Sequence, residues 1–388
     1  MNKRFAHSII SIGAFLVILL AGYSCTGTSA VQSGTNPSES QATPSADPIF
    51  SVFLIGDAGA ASLDPREPAL RTLKSQLEES GTQSAVIFLG DNIYPSGLPA
   101  KEVRARKRAE RRLMAQLKTV EDYPGRVVFI PGNHDWHSSK KKGLQRIHRQ
   151  ERYIENYLQK GNTFLPDSGY PGPVSVSLES QTEDASMPFN IRLIVLDTQW
   201  WLHPHGKPLS QGITSVKQQK EKILADVGKI IRRHQDDEII VAGHHPMFSN
   251  GRHGGKFPFM THLLPPVLGS IYVAYRNIWG YHQDVANYGD LKDGLMESFE
   301  SKDGLIYASG HEHSLQFIPQ TNNNARQYYL VSGSGSRSSY VKKQRDPSFT
   351  HKGKGFIAVR YFENQSKRIE VWSEKGNLIF HKTIKAAE

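Results

Sequence analysis

The sequence predicts an α/β fold in which largely parallel strands alternate with helices, closed by a second, partly antiparallel sheet. Three observations predict it. From Ile49 onward, short apolar runs alternate with amphipathic, helix-like stretches, the pattern of strands joined by helical crossovers. Five of the apolar runs stop at a glycine followed by polar side chains. Beyond residue 326 the pattern changes to successive strand-like runs separated by turns.

The elements follow in order. Candidate strands are 50–55 (FSVFLI), 85–89 (AVIFL), 126–130 (RVVFI), 191–196 (IRLIVL), 238–242 (EIIVA) and 304–308 (GLIYA). Between them, 66–80, 100–119, 144–160 and 214–233 have helical period. The tail contributes 327–331, 355–361, 368–373 and 377–383 as strands of the second sheet. There is no internal repeat.

The chain has 388 residues, 38% hydrophobic and 22% charged, which is globular composition and enough length for one large domain or two ordinary ones. Residues 1–25 stand apart: Lys3 and Arg4 precede an apolar run from Ile9 to Ala21, the layout of a secretory signal and short for a membrane span. Cys25 is the single cysteine, so no intrachain disulfide forms. Its place resembles a bacterial lipoprotein signal, in which the cysteine is lipidated and becomes the mature N-terminus. Gly22-Tyr23-Ser24 lacks the usual leucine three residues before the cysteine, and ordinary cleavage near Ala30 or an uncleaved anchor are the other readings. Residues 26–48 are rich in Ser, Thr, Pro and Gly and read as a flexible tether. The expectation is a signal (1–25), a tether (26–48) and a folded domain (49–388), exported across the inner membrane and held by lipid on its periplasmic or cell-surface side.

Net charge is +10. Much of it lies in "KEVRARKRAERR" (101–112) and "KKKGLQRIHRQER" (140–152), which read as a solvated basic face or as a positive rim that attracts anionic substrates. No nucleic-acid motif accompanies them, so no specific nucleic-acid binding is expected, and no protein partner is evident.

In folds of this class, binding groups sit on loops at the carboxyl ends of strands. Five exits here read "FLIGDAG" (Asp57), "IFLGDNIY" (Asp91, Tyr94), "VFIPGNHD" (Asn133, His134, Asp135), "IIVAGHHP" (His244, His245) and "IYASGHEH" (His311, His313). Singly, a Gly-Asp at a strand end is a turn or cap, and a His-x-His is a surface feature. Five exits carrying only Asp, Asn, Tyr and His are a metal-binding pattern. Oxygen and imidazole donors without thiolate suit Fe, Mn, Zn or Mg. Asp57, Asp91, Tyr94, Asn133, His244, His311 and His313 are too many for one ion and suit two with Asp91 bridging, a clamp for in-line phosphoryl displacement.

These motifs resemble the calcineurin-like metallophosphoesterases and, within them, the smaller purple acid phosphatases, whose pattern is GDxG, GDxxY, GNH(D/E), VxxH and GHxH. They stand here as Gly56-Asp57-Ala58-Gly59, Gly90-Asp91-Asn92-Ile93-Tyr94, Gly132-Asn133-His134-Asp135, Val241-Ala242-Gly243-His244 and Gly310-His311-Glu312-His313. The resemblance implies an α/β/β/α sandwich of two mixed sheets flanked by helices. It implies Asp57, Tyr94 and His313 on Fe(III), Asp91 bridging, and Asn133, His244 and His311 on a divalent Fe, Zn or Mn. It implies hydrolysis of small phosphate esters by a metal-bound hydroxide, with His134 binding the phosphate or protonating the leaving alcohol; Asp135, next in sequence, is expected to orient that imidazole. His253 matches a further active-site histidine, alternatively an exposed loop residue.

Ala58 and His245 depart from the common aromatic residue and tyrosine at their positions, and both are expected to line the substrate site. The aromatic stretch 255–290 reads as a packed excursion, otherwise as a lid or substrate platform. A "SGSGS" run at 332–336 is not a nucleophile elbow, because Ser332 stands at its first glycine position. The rival functions are a phosphodiesterase or nucleotidase on the same centre and, from another class, a surface protein that captures metal or phosphate.

Overall fold

A computed structural model describes residues 47–178, 187–252 and 285–386. Cys25, His253 and the aromatic stretch up to residue 284 lie outside the described residues.

The strands are β1 (Phe50–Ile55), β2 (Ser84–Phe88), β3 (Arg126–Phe129), β4 (Val174–Leu178), β5 (Ile191–Val195), β6 (Glu238–Ala242), β7 (Ile306–Ser309), β8 (Leu315–Asn322), β9 (Ala325–Ser332), β10 (Phe349–His351), β11 (Gly355–Tyr361), β12 (Lys367–Ser373) and β13 (Leu378–Ile384). The helices are α1 (Pro68–Ser80), α2 (Arg106–Val120), α3 (Gly143–Leu158), α4 (Thr198–Leu202), α5 (Val216–Arg233) and α6 (Val285–Phe299).

Two mixed sheets result. One runs β13-β12-β11-β1-β2-β3 and the other β10-β8-β9-β7-β6-β5-β4. Within them β1, β2 and β3 are parallel, as are β5, β6, β7 and β9. Alternate side chains of each strand meet between the sheets: Phe50, Val52, Leu54, Ile87 and Val128 from the first, Leu193, Val195, Ile240, Ala308 and Leu330 from the second. The opposite faces carry helices. Phe53, Ile55, Val86 and Phe129 belong with Leu70, Leu73 and Leu77 of α1, Leu113 and Leu117 of α2, and Ile147 and Ile154 of α3. This explains the unbroken apolar runs, since a strand covered on both faces has no solvent side to leave polar. The layers are the expected α/β/β/α sandwich.

One expectation is corrected. The tail does not form the second sheet by itself. Only β9 and β10 join it, beside β4 to β8, while β11, β12 and β13 extend the first sheet. There β11 pairs antiparallel with β1, Ser51 opposite Arg360. The parallel strands of both sheets therefore end at one rim, where Gly56 N–H donates to the Ser332 carbonyl (2.6 Å) and Gly310 N–H to the His244 carbonyl (3.0 Å).

Candidate metal centre

Each donor-bearing loop directly follows a strand of that rim, with its donors two to six residues beyond the strand end. Asp57 follows β1, Asp91 follows β2, Asn133 and His134 follow β3, His244 follows β6, and His311 and His313 follow β7. Asp57, Asp91 and His311 hold positive φ values of 58°, 54° and 66°. A non-glycine residue in that region costs about 1 kcal/mol or more, and such strain clusters at functional sites. The turn carries each side chain back over the sheet edge. Gly90 and Gly132 keep room for this. A Cβ on Gly90 would meet His244 Nδ1 at 2.7 Å, and one on Gly132 would meet Asp91 Oδ1 at 2.4 Å.

The seven predicted donors fall into two triplets. In the first, Tyr94 Oη donates to Asp57 Oδ1 (2.7 Å) and lies 2.9 Å from His313 Nε2, itself 3.3 Å from Asp57 Oδ1. In the second, Asn133 Oδ1 lies 3.1 Å from His244 Nε2 and 3.0 Å from His311 Nδ1, and the two imidazole nitrogens are 3.2 Å apart. Asp91 stands between them: its Oδ1 is 3.5 Å from His244 Nε2, and donor atoms of Asp57, Asp91 and His244 all lie within 4.8 Å of one another. Donors bound about 2.1 Å from one ion are spaced roughly 3 Å apart, so both triplets have the spacing of a coordination shell. The donor set contains oxygen and imidazole only. By spacing and by chemistry the residues fit a metal centre.

The surroundings brace it. His244 Nδ1 lies 2.8 Å from the Leu89 carbonyl, which orients the ring. His311 N–H donates to Asp57 Oδ2 (2.7 Å) and His134 N–H to Asp91 Oδ1 (2.8 Å). Burial works against ionisation of Asp91, but His244, His134 and that N–H outweigh it and hold the carboxyl below its ordinary value. Burial likewise opposes the charge on His244, yet Asp91 and Asp57 raise it. Burial, then Asp57 and Asp91, push the Tyr94 phenol far up.

His134 is partly exposed, its ring edge-on to Tyr94 with centroids 4.5 Å apart. Its Nδ1 contacts the Pro95 carbonyl, and Nε2 lies 3.8 Å from Asp91 Oδ2. Asp135 does not orient it. Buried, Asp135 instead accepts from the N–H groups of Asn92 (3.1 Å), Ile93 (3.1 Å) and Gly132 (2.9 Å), tying the Asp91 loop to the Asn133 loop. Burial and the neighbouring Asp91 raise its carboxyl to about 7.

His245 joins the cluster on the side of the second triplet, a donor atom within 4.8 Å of those of His244 and His311, with Nδ1 2.8 Å from Thr198 Oγ1. Ala58, between Asp57 and Gly59, is buried and counted with the apolar core. Two features escaped sequence reasoning. The Arg337 guanidinium lies 4.2 Å from the centroid of the Tyr94 ring. The 332–336 run floors the site, with Ser336 Oγ donating to the Asp57 carbonyl (2.5 Å) and Ser332 Oγ to that of Leu54 (2.6 Å). Neither belongs to the five motifs, although the 332–336 run directly leaves the end of β9.

Comparisons with known proteins bear on the family and the fold. Residues 50–315 match the model of the calcineurin-like phosphoesterases. Purple acid phosphatase 3 of Arabidopsis thaliana is 22% identical over 356 residues, covering 88% of this chain and 80% of that protein. Purple acid phosphatase PPD1 from yellow lupin seeds superposes with a TM-score of 0.54 at 14% identity, over 88% of this chain and 55% of the lupin chain. GAP50, the anchor in the inner membrane complex of Plasmodium, superposes with a TM-score of 0.50 at 17% identity, over 87% and 89%.

Proposed function

The chain belongs to the calcineurin-like phosphoesterase family and is a hydrolase, and from that premise we propose that it hydrolyses phosphate monoesters, as an acid phosphatase does, at a dinuclear centre of Fe(III) and a divalent Fe, Zn or Mn. The observation that supports this best is the division of seven donors into two triplets with Asp91 between them. In this reading Asp57, Tyr94 and His313 hold Fe(III), Asn133, His244 and His311 hold the divalent ion, and Asp91 bridges. When bound, the metals supply Lewis-acid charge to the phosphate and acidify a water.

The chain's own residues do the remaining work. Asp57, Asp91 and Tyr94 set how much positive charge is left to attract the phosphate. His134, with Nδ1 on the Pro95 carbonyl, keeps Nε2 toward the centre, placed to protonate a departing alcohol or to bind a phosphate oxygen. His245 stands where substrate would meet the second triplet, and the family resemblance gives His253 a similar part. In this reading the domain works on an extracytoplasmic membrane face, held there by lipid on Cys25.

The fold alone does not decide between catalysis and anchoring, since one structure that shares it is described as an anchor. A complete donor set with His134 beside it favours catalysis over mere capture. A phosphodiesterase or nucleotidase on the same centre is the second reading, favoured by the basic runs flanking it.

Metal analysis, an optical spectrum and turnover of p-nitrophenyl phosphate against bis-p-nitrophenyl phosphate test the proposal together. Two metals including iron, a phenolate-to-Fe(III) colour lost in Tyr94→Phe, and preference for the monoester are expected. Fe(III) without colour removes Tyr94 from the ligands. Preference for the diester selects the second reading, and two bound metals without turnover select capture.

A further inference from the structure

The chain leaves β9 through Ser332-Gly333-Ser334-Gly335-Ser336 and reaches Arg337. This loop is tied to both partners of Tyr94 in the first triplet. Ser336 Oγ donates to the Asp57 carbonyl (2.5 Å) and accepts from the Ala60 N–H (3.1 Å). Ser339 N–H donates to the His313 carbonyl (2.7 Å). Gly333 permits the approach, since a Cβ there would stand 2.9 Å from Asp57 Oδ2. Ser334 Oγ donates to the Arg337 carbonyl (2.7 Å) and fixes that residue's backbone. The loop that braces Asp57 and His313 therefore also places Arg337, whose guanidinium carbon lies 4.2 Å from the centroid of the Tyr94 ring.

The charge that Arg337 brings is uncommitted. Arg106, Arg192, Arg326, Arg360 and Arg368 each pair with a carboxylate. Among the described residues Arg337 takes part in no ion pair. Arg337 itself is exposed, but the ring beneath it is buried. A charge acting on a buried group is screened far less than one acting between exposed groups. The direction of approach also matters. Asp57 meets Tyr94 at its hydroxyl, whereas Arg337 covers the face of the ring, where π electrons attract a cation.

On the proposed reading of Tyr94 as a phenolate ligand of Fe(III), we infer that Arg337 sets how strongly Tyr94 donates charge to that ion. A phenolate shares electrons of its ring and oxygen with the metal. A guanidinium over the ring attracts those electrons, so they are shared less. Moving one of them to the iron then takes more energy, which places the colour at shorter wavelength. The iron, receiving less charge from its ligand, accepts an added electron more readily, which raises its midpoint potential. An ion left more electron-poor is also the stronger Lewis acid toward a phosphate oxygen. Arg337 acts here through Tyr94 and has no need to touch substrate.

The optical spectrum and the iron midpoint potential of the metal-loaded full chain, without phosphate, test this alongside metal content. Arg337→Gln removes the charge from an exposed side chain. It should keep both metals, move the band to longer wavelength and lower the potential. Arg337→Lys returns a cation to the same loop position and should recover part of both shifts. Arg111→Gln removes equal charge from an exposed position on α2 and should leave band and potential as in the wild type. Band and potential unmoved in Arg337→Gln, shifted with the opposite sign, shifted equally in Arg111→Gln, or not recovered at all in Arg337→Lys would each overturn the inference. The proposed function would then still stand. Weaker inhibition of Arg337→Gln by inorganic phosphate, with band and potential unmoved, would likewise overturn it and make Arg337 a phosphate-binding residue. A wild type that holds Fe(III) without colour would overturn the reading of Tyr94, and the inference with it.

Discussion

His134 shows how much one position carries. Its backbone N–H holds Asp91 Oδ1, its ring packs edge-on to Tyr94, and its Nδ1 rests on the Pro95 carbonyl. Only Nε2 is left for substrate. In its proposed role the side chain would serve turnover more than metal binding, and a general acid contributes roughly a hundred- to ten-thousandfold in rate. His134→Ala keeps the backbone N–H, so both metals should stay bound while alkyl phosphates lose most of their turnover. The loss should be smaller for p-nitrophenyl phosphate, whose leaving group hardly needs a proton. Equal losses on both substrates would leave His134 as a phosphate-binding group, and a lost metal would make it a ligand. The seven residues that the fold brings together were legible in the sequence because each follows a glycine at the end of an apolar run. Asp135 was not. Beside His134 in sequence it reads as that residue's partner, but its side chain points to the N–H groups of Asn92, Ile93 and Gly132, a contact that exists only once β2 and β3 lie side by side.

At the scale of elements, the loops interlock more tightly than their glycines suggest. Asp57 N–H donates to the Gly90 carbonyl (3.0 Å), and the Gly132 position abuts Asp91, where an added Cβ would stand 2.3 Å from the backbone nitrogen. Backbone cannot yield there without moving Asp91. Gly132→Ala should therefore cost about 1–3 kcal/mol of stability and loosen both metals. Gly206→Ala, with nothing within 4 Å, should stay within about 0.5 kcal/mol. Denaturant unfolding and metal stoichiometry on the two variants check this, and a Gly132→Ala protein with native stability and two metals would show that Asp91 is not so constrained. Strands and helices were legible because their period is local. Their distribution between sheets was not. The run 355–361 announces a strand, but nothing near it announces that β11 pairs with β1, since that choice depends on residues such as Ser51 and Arg360, distant in sequence. Neither β4 nor β10 was among the candidate strands: β10 has three residues, too few for a period, whereas the alternation Val174-Ser175-Val176-Ser177-Leu178 of β4 was readable and was missed.

At the scale of the whole molecule, the proposed lipid attachment is what remains to be tested. Among the described residues no helix is long and apolar enough to cross one. For the proposed attachment the sequence offers two devices close together. The apolar run from Ile9 to Ala21, thirteen residues, would span about 20 Å as a helix, short of a hydrocarbon core of about 30 Å. Cys25 offers acyl chains instead. Each buried methylene contributes about 0.8 kcal/mol, so one chain binds reversibly and two or more hold firmly. Lipid on Cys25 would therefore be the stronger of the two anchors. The expected outcome is a wild-type protein in the membrane fraction and a Cys25→Ser protein in the soluble one, each turning over substrate at the same rate, since the donor loops lie far along the chain from residue 25. Membrane attachment unaffected by the substitution would identify the apolar run as an uncleaved anchor. A wild type already in the soluble fraction would identify ordinary cleavage, and N-terminal sequencing of the mature chain would then place the cut near Ala30.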